Sequence, residues 1–475
     1  MIRIFLILLL IISQSVFFYT YSFGQSQNSK LSSLIPKEAR DNGKLGVSIQ
    51  SLTSGKTIFQ HNPDKLFIPA SNVKIITSAI ALTLLKRDYK FKTELYSGGE
   101  IKNGVLHGGL YIKGYGDPTL KSEYIGYLVY QLKRRGIKEI RGGIFVDESF
   151  FDNVRYGQGW KDEWKKEFYS PPISALSLNF NTFNIKVSAS KLGNRPLLTM
   201  EPKGSNIQII NEAITSNKKQ GIAAFWNDER NAVVVKGRIR PKRTLELKLP
   251  VNDPAIYTGN VIKSYIEEAG IKIEGGINKG QVPRWGNLFY THNSLPLHLI
   301  INEYNKESVN IIGENLMKTI GAKYFGVPGT WTKGKKVYSI FLKKLDIKNG
   351  FNIVDGSGLS PLNRVTPETL TNILEYAYNS SKISNDFVSS LPIAGIDGTL
   401  KKRFKHTEIE GRVKAKTGYL NNVRALSGYI VTKNDEVLAF SILSNGVGWK
   451  AKQFQQDILN ELLDCCKSDY VRLIE

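Results

Sequence analysis

Cysteine is nearly missing from this chain of 475 residues, which carries only Cys465 and Cys466, side by side. Neighbouring Cα atoms lie about 3.8 Å apart, so a bridge between the two would be strained. A disulfide framework and a cysteine zinc site are therefore excluded. Both cysteines fall in an amphipathic stretch with Phe454, Ile458, Leu459, Leu462 and Leu463, where small core residues are expected. Histidine is also scarce. His61, His107, His292, His298 and His406 lie beside no nucleophile motif, which disfavours a Ser-His-Asp triad. No low-complexity tract and no repeat of about 20–50 residues is present, so the chain reads as globular and not as a solenoid. No metal or cofactor is expected.

Acidic residues are outnumbered, 42 against 65 Lys plus Arg, for a formal charge of +23. Such a balance suits peripheral contact with anionic cell-wall polymer or membrane headgroups, or serves solubility alone. The basic residues are scattered and no nucleic-acid module is visible, so nucleic acid is not an expected partner. One strongly apolar run, Ile4 to Ile12, follows Arg3 and precedes Ser22-Phe23-Gly24. It is short for a membrane span and reads as an export signal over residues 1–24, placing the protein in the periplasm or cell envelope. Because Val16 to Tyr21 extends the apolar character, an uncleaved anchor is the alternative.

What is present centres on residues 67–86. After Pro69 the chain is apolar almost all round (Val73, Ile75, Ile76, Ala79, Ile80, Ala81, Leu82, Leu84, Leu85), the pattern of a buried helix. Ser71, Lys74 and Ser78 make one polar line along it. A buried lysine is costly, and one turn from a serine it is the arrangement of a nucleophile with an amine base. Two further signals belong with it: Ser308-Val309-Asn310 at a helix start and Lys416-Thr417-Gly418 at a strand end. Each alone is weak. Together Ser-x-x-Lys, Ser-x-Asn and Lys-Thr-Gly form the signature set of penicillin-binding proteins and serine β-lactamases.

The order of elements predicts one split α+β domain. A hairpin over 45–60 leads into the Ser71 helix, a strand- and turn-rich segment follows, and helices return past Pro296. Three strands near 411–417, 425–431 and 437–443 and a helix over 452–463 close the chain. The hairpin and the late strands suit one antiparallel sheet of about five strands. The expected division is 25–92 and 286–475 for the split domain and 93–285 for the insertion.

With Gly116-Asp117-Pro118-Thr119-Leu120, Asp355-Gly356-Ser357-Gly358-Leu359-Ser360 and Asp397-Gly398-Thr399-Leu400 added, the chain resembles the class C low-molecular-mass penicillin-binding proteins, the D-alanyl-D-alanine carboxypeptidase/endopeptidase family. The resemblance implies a transpeptidase/serine β-lactamase-like domain with helices on both sides of the sheet, interrupted by two nested accessory domains. It also implies hydrolysis of D-Ala-D-Ala and D-Ala–diamino-acid bonds of peptidoglycan stem peptides, with β-lactams as covalent inhibitors. Ser71 would then be nucleophile and Lys74 its base. Ser308 would relay the proton and Asn310 would hold a peptide carbonyl. Lys416 and Thr417 would bind a carboxylate, the bare Gly418 would let substrate lie flat, and the Tyr419 N–H would join that of Ser71 in an oxyanion hole. Trp160, Asp162 and Tyr169 from the insertion, and Arg364, would reach the stem-peptide side chain. Val309 is expected to point away from the cleft. A β-lactamase and a non-catalytic wall-binding scaffold are the rival readings.

Overall fold

The computed structural model describes residues 29–37, 40, 42–448 and 450–465. The export-signal segment and Cys466 lie outside them. Five strands, β1 (Leu45–Ser51), β2 (Thr57–His61), β3 (Val413–Leu420), β4 (Val423–Val431) and β5 (Val437–Asn445), form an antiparallel sheet in the order β2-β1-β5-β4-β3. The central strands β1, β4 and β5 are buried along nearly their whole length, because helices cover both faces. Lys416-Thr417-Gly418 lies in the middle of β3 and not at its end. The strand continues through Tyr419 and Leu420 because the short reversal to β4 keeps the register Tyr419↔Arg424.

On one face of the sheet lie α1 (Val73–Leu85), α2 (Leu297–Lys306), α3 (Asn310–Phe325), α4 (Trp331–Lys344), α5 (Pro367–Asn379) and α6 (Ser384–Ser390). They share a core that includes Ile76, Ile80, Tyr304, Leu316, Phe341 and Leu370. α1 is its axle, buried all round with Lys74, Thr77 and Ser78 inside. Ser78 meets Asn305 of α2, whose amide also reaches Ser390 of α6, so the polar line down α1 is satisfied by neighbouring helices. On the other face α7 (Lys450–Leu463) packs Phe454, Ile458, Leu459 and Leu462 against Leu426, Ile430 and Phe440. Cys465 is buried in the same core as Phe454 and Leu462, as expected of a small core residue, but it lies just past the end of α7 and is disulfide-bonded.

Between α1 and α2 the chain is strand-rich. Strand Lys92–Ser97 pairs with Leu110–Gly114 and Asn287–Asn293 in a five-stranded sheet, beside a four-stranded one. Two three-stranded sheets built between Thr182 and Pro250 lie within that segment in sequence. Since Asn287–Asn293 pairs with Lys92–Ser97, residues 287–293 go by hydrogen bonding with the insertion, not with the helical part expected to begin at 286.

Candidate active site

Ser71 sits in a 3-10 turn, Ala70–Asn72, that runs straight into α1. Two glycines make room for this turn. A Cβ on Gly358, whose φ is +83°, would lie 1.9 Å from the Ala70 carbonyl oxygen, and one on Gly418 would lie 2.7 Å from that of Pro69. Neither position tolerates a side chain without movement. The bareness of Gly418 therefore serves the approach of the Ser71 turn to β3, a reason different from the flat substrate bed expected.

Lys74 is fully buried one turn below. Its Nζ donates to Ser357 O at 2.6 Å and Asn310 Oδ1 at 2.7 Å, and lies 3.1 Å from Ser71 Oγ. It also stands 5.5 Å from the Tyr304 ring centre. Burial draws its pKa from 10.5 down to about 7, while Glu314 and Asp355 act in the opposite direction. Desolvation is thus the dominant cause. A carbonyl and an amide oxygen can only accept, so two N–H bonds of Lys74 are committed to them. The third direction faces the Ser71 hydroxyl, the one partner with a proton to give.

Ser308 Oγ lies 3.5 Å from Ser71 Oγ. Its φ of +59° puts strain at the α2–α3 junction, where a functional side chain is being aimed. Asn310 opens α3. Its Nδ2 donates to Tyr169 O at 2.8 Å, which fixes the amide so that Oδ1 faces Lys74. Ser71, Lys74, Ser308 and Asn310 therefore form one contiguous group drawn from two distant parts of the chain.

The Lys-Thr-Gly strand lies beside them. Lys416 is fully buried and donates to Thr417 O at 3.2 Å; burial first, then the charge of Lys74, pushes its pKa well down. Lys416 thus lies covered beside the cavity lined by Thr417, Gly418 and Tyr419 and is not part of that lining. Thr417 Oγ1 donates to Thr399 Oγ1 at 2.9 Å. Thr417, Gly418 and Tyr419 line an open cavity, and Tyr419 is 67% exposed with the Arg424 guanidinium 4.0 Å from its ring centre.

Two acids hold the site from below, Asp355 of the Gly-rich turn and Glu314, which the sequence reading did not assign. Glu314, one turn after Asn310 on α3, is fully buried. It accepts from Trp331 Nε1, Gly356 N and Ser357 N at 2.6, 3.1 and 2.8 Å. Burial, with Asp355 next, raises its pKa to about 7. Asp355 ties down its own turn through Gly358 N, Ser360 N and Asn363 Nδ2. Together they set the peptide whose carbonyl meets Lys74. The spacing Asn310 to Glu314, i to i+4 amid Ile311, Ile312, Leu316 and Met317, was the available signal.

The chain belongs to the D-Ala-D-Ala carboxypeptidase 3 (S13) family. That family's model matches residues 27–465. The chain is 29% identical over 467 residues to the D-alanyl-D-alanine carboxypeptidase DacB of Haemophilus influenzae, covering 94% of this chain and 96% of that one. It is 30% identical over 460 residues to the D-alanyl-D-alanine carboxypeptidase of Actinomadura sp. strain R39, covering 90% and 82%. The crystal structure of penicillin binding protein 4 (dacB) from H. influenzae superposes with a TM-score of 0.79 at 28% identity, covering 92% of this chain and 99% of that one. The same protein complexed with a novel β-lactam gives 0.75 at 27%, covering 91% and 97%. The fold is thus the S13 one, an α+β penicillin-binding-protein domain carrying an inserted strand-rich segment.

Within this S13 chain, of the four residues expected to read the stem peptide, Tyr169 lines a cavity beside Ser308 and Asn310, while Trp160, Asp162 and Arg364 are engaged by other partners. Trp160 is buried in the helical core and donates Nε1 to Asp355 Oδ2 at 3.0 Å. Asp162 is exposed and paired with Lys165 at 2.5 Å. Arg364 is held by the carbonyls of Pro361 and Asn363 at 2.6 and 2.8 Å. Tyr169 meets Asn310 through its backbone oxygen, the side chain being partly exposed. Val309 lines a cavity with Tyr169, Ser308 and Asn310 and packs against the helical core. Its place between Ser308 and Asn310 leaves it at that rim.

Proposed function

We propose that this chain hydrolyses the terminal D-Ala-D-Ala bond of peptidoglycan stem peptides, and D-Ala–diamino-acid cross-links, through an acyl-enzyme on Ser71. The observation that carries this reading is the direction of the free position on Lys74, aimed at the Ser71 hydroxyl. Ser71 Oγ attacks the penultimate D-Ala carbonyl and its proton passes to Lys74 Nζ. The N-terminal end of α1 and the N–H groups of Ser71 and Tyr419 stabilise the oxyanion. Ser308 relays the proton from Lys74 to the leaving amine as the C–N bond breaks, and water then hydrolyses the ester. Asn310 holds Lys74 and faces the acyl side of the substrate. Thr417 takes the carboxylate of the leaving residue, with buried Lys416 supporting the strand behind it.

The kinship with carboxypeptidases and with a β-lactam-binding protein supports this substrate class, and β-lactams act as covalent inhibitors of the same serine. Such substrates place the protein in the cell envelope, consistent with the export signal read over residues 1–24. No described helix is long and apolar enough to cross a membrane. The charge of +23 suits peripheral contact with anionic wall or lipid. Release of D-alanine from a pentapeptide by the wild type, and its loss in Ser71→Ala, tests the reading. Equal release from both would overturn it.

A further inference from the structure

On the α7 side of β3, the cavity lined by Thr417, Gly418 and Tyr419 has a volume of about 580 Å³ and extends between β3–β4, the segment after Thr399 and the first turns of α7. Its lining includes Lys402, Arg403, Arg424 and Lys452, and no Asp or Glu. Among the described residues none of the four forms an ion pair. Arg403 donates to Lys452 O at 3.1 Å and stacks on Phe404, and burial draws its pKa down to about 10. Arg424 spends Nη1 on the carbonyls of Leu420 and Val423. Its Nε, like Nε2 of Gln455 in the same lining, is buried without a hydrogen-bond partner. Buried donors left unmade are rare and costly. These two donors lie beneath the surface, and it is the four cations lining the cavity without an acidic partner, Lys402 and Lys452 exposed among them, that make it suited to an anion.

The neighbourhood of Thr417 says which anion. If Thr417 takes the carboxylate of the leaving residue, the cavity beyond it receives whatever is attached to that residue. A leaving D-alanine brings only a methyl group. A leaving diamino acid from a cross-link brings the rest of a stem peptide, which carries free carboxylates. We propose that this cavity is a leaving-side subsite for the carboxylates of an acidic peptide, which favours cross-link cleavage over trimming of free pentapeptides. The proposal rests on the serine peptidase reading above.

Lys402 and Lys452 are exposed, so their replacement leaves the core intact. In the full-length protein, Lys402→Gln/Lys452→Gln should lower kcat/KM for a cross-linked muropeptide dimer by about ten-fold. D-alanine release from pentapeptide and acylation by penicillin should stay within about two-fold, since neither lysine contacts Ser71 or Lys74. A dimer whose leaving-side carboxylates are amidated should be cleaved by the wild type as slowly as the free-acid dimer is by the variant. Dimer cleavage that ignores both changes would overturn the subsite, as would an equal fall on dimer and pentapeptide. A wild type that neither releases D-alanine nor takes penicillin would remove the underlying reading instead, and the subsite with it.

Discussion

At Lys74 two acceptors at 2.6 and 2.7 Å hold two N–H bonds, and the Ser71 hydroxyl lies at 3.1 Å in the third direction. With burial drawing the pKa to about 7, the amine is protonated below that pH and has no lone pair for the serine proton. Acylation by penicillin should therefore accelerate as pH rises through about 7 and level off above it. Stopped-flow labelling across pH 5.5 to about 9 checks this; a rate that falls over the same range would contradict it. Glu314 raises the Lys74 pKa, so its charge delays deprotonation. Glu314, its own pKa raised to about 7, is ionised only in part where Lys74 titrates, so Glu314→Gln removes that partial charge and the rising limb should move modestly to lower pH. A limb that moves upward would show that Glu314 acts on Lys74 in some other way.

Among the elements, the Ser71 turn is held where two glycines let it approach, Gly358 from the Asp355 turn and Gly418 from β3. Gly358→Ala adds a methyl 1.9 Å from a carbonyl oxygen in a left-handed conformation. It should cost about 1–3 kcal/mol of stability and slow acylation of the protein that still folds. Thermal unfolding and penicillin labelling measure the two effects, and unchanged labelling would mean that the turn is positioned elsewhere. The sheet, the helices past Pro296 and the buried Ser71 helix were legible because their apolar periodicity is strong. The strands Ile209–Thr215 and Gly221–Asn227 were not, since both flank Ala232–Ile239 as half-exposed edges and mix polar with apolar residues. The adjacency of Ser71, Lys74, Ser308 and Asn310 was legible from motifs. The burial of Lys416 and of Glu314 was not, because whether a charge is covered depends on packing that one segment does not encode.

At the scale of the whole molecule, the insertion reaches the site at Tyr169, whose backbone oxygen accepts from Asn310 and which lines a cavity with Ser308, while Trp160 braces Asp355 from beneath. The rest of the insertion has its own core around Ile112, Val146, Ile185 and Val261. The charge of +23 is a property of the entire chain, and screening sets its reach at about 10 Å in 0.1 M salt. Sedimentation with anionic wall fragments or phosphatidylglycerol vesicles should fall steeply as salt rises; binding indifferent to salt would assign the charge to solubility.

The central claim is covalent chemistry at one serine, and intact-mass measurement after brief exposure to penicillin addresses it most directly. The account predicts a long-lived adduct of one penicilloyl group, mapping to the peptide that contains Ser71 and absent from Ser71→Ala. Penicillin hydrolysed rapidly with no adduct, or an adduct that survives in Ser71→Ala, would contradict it.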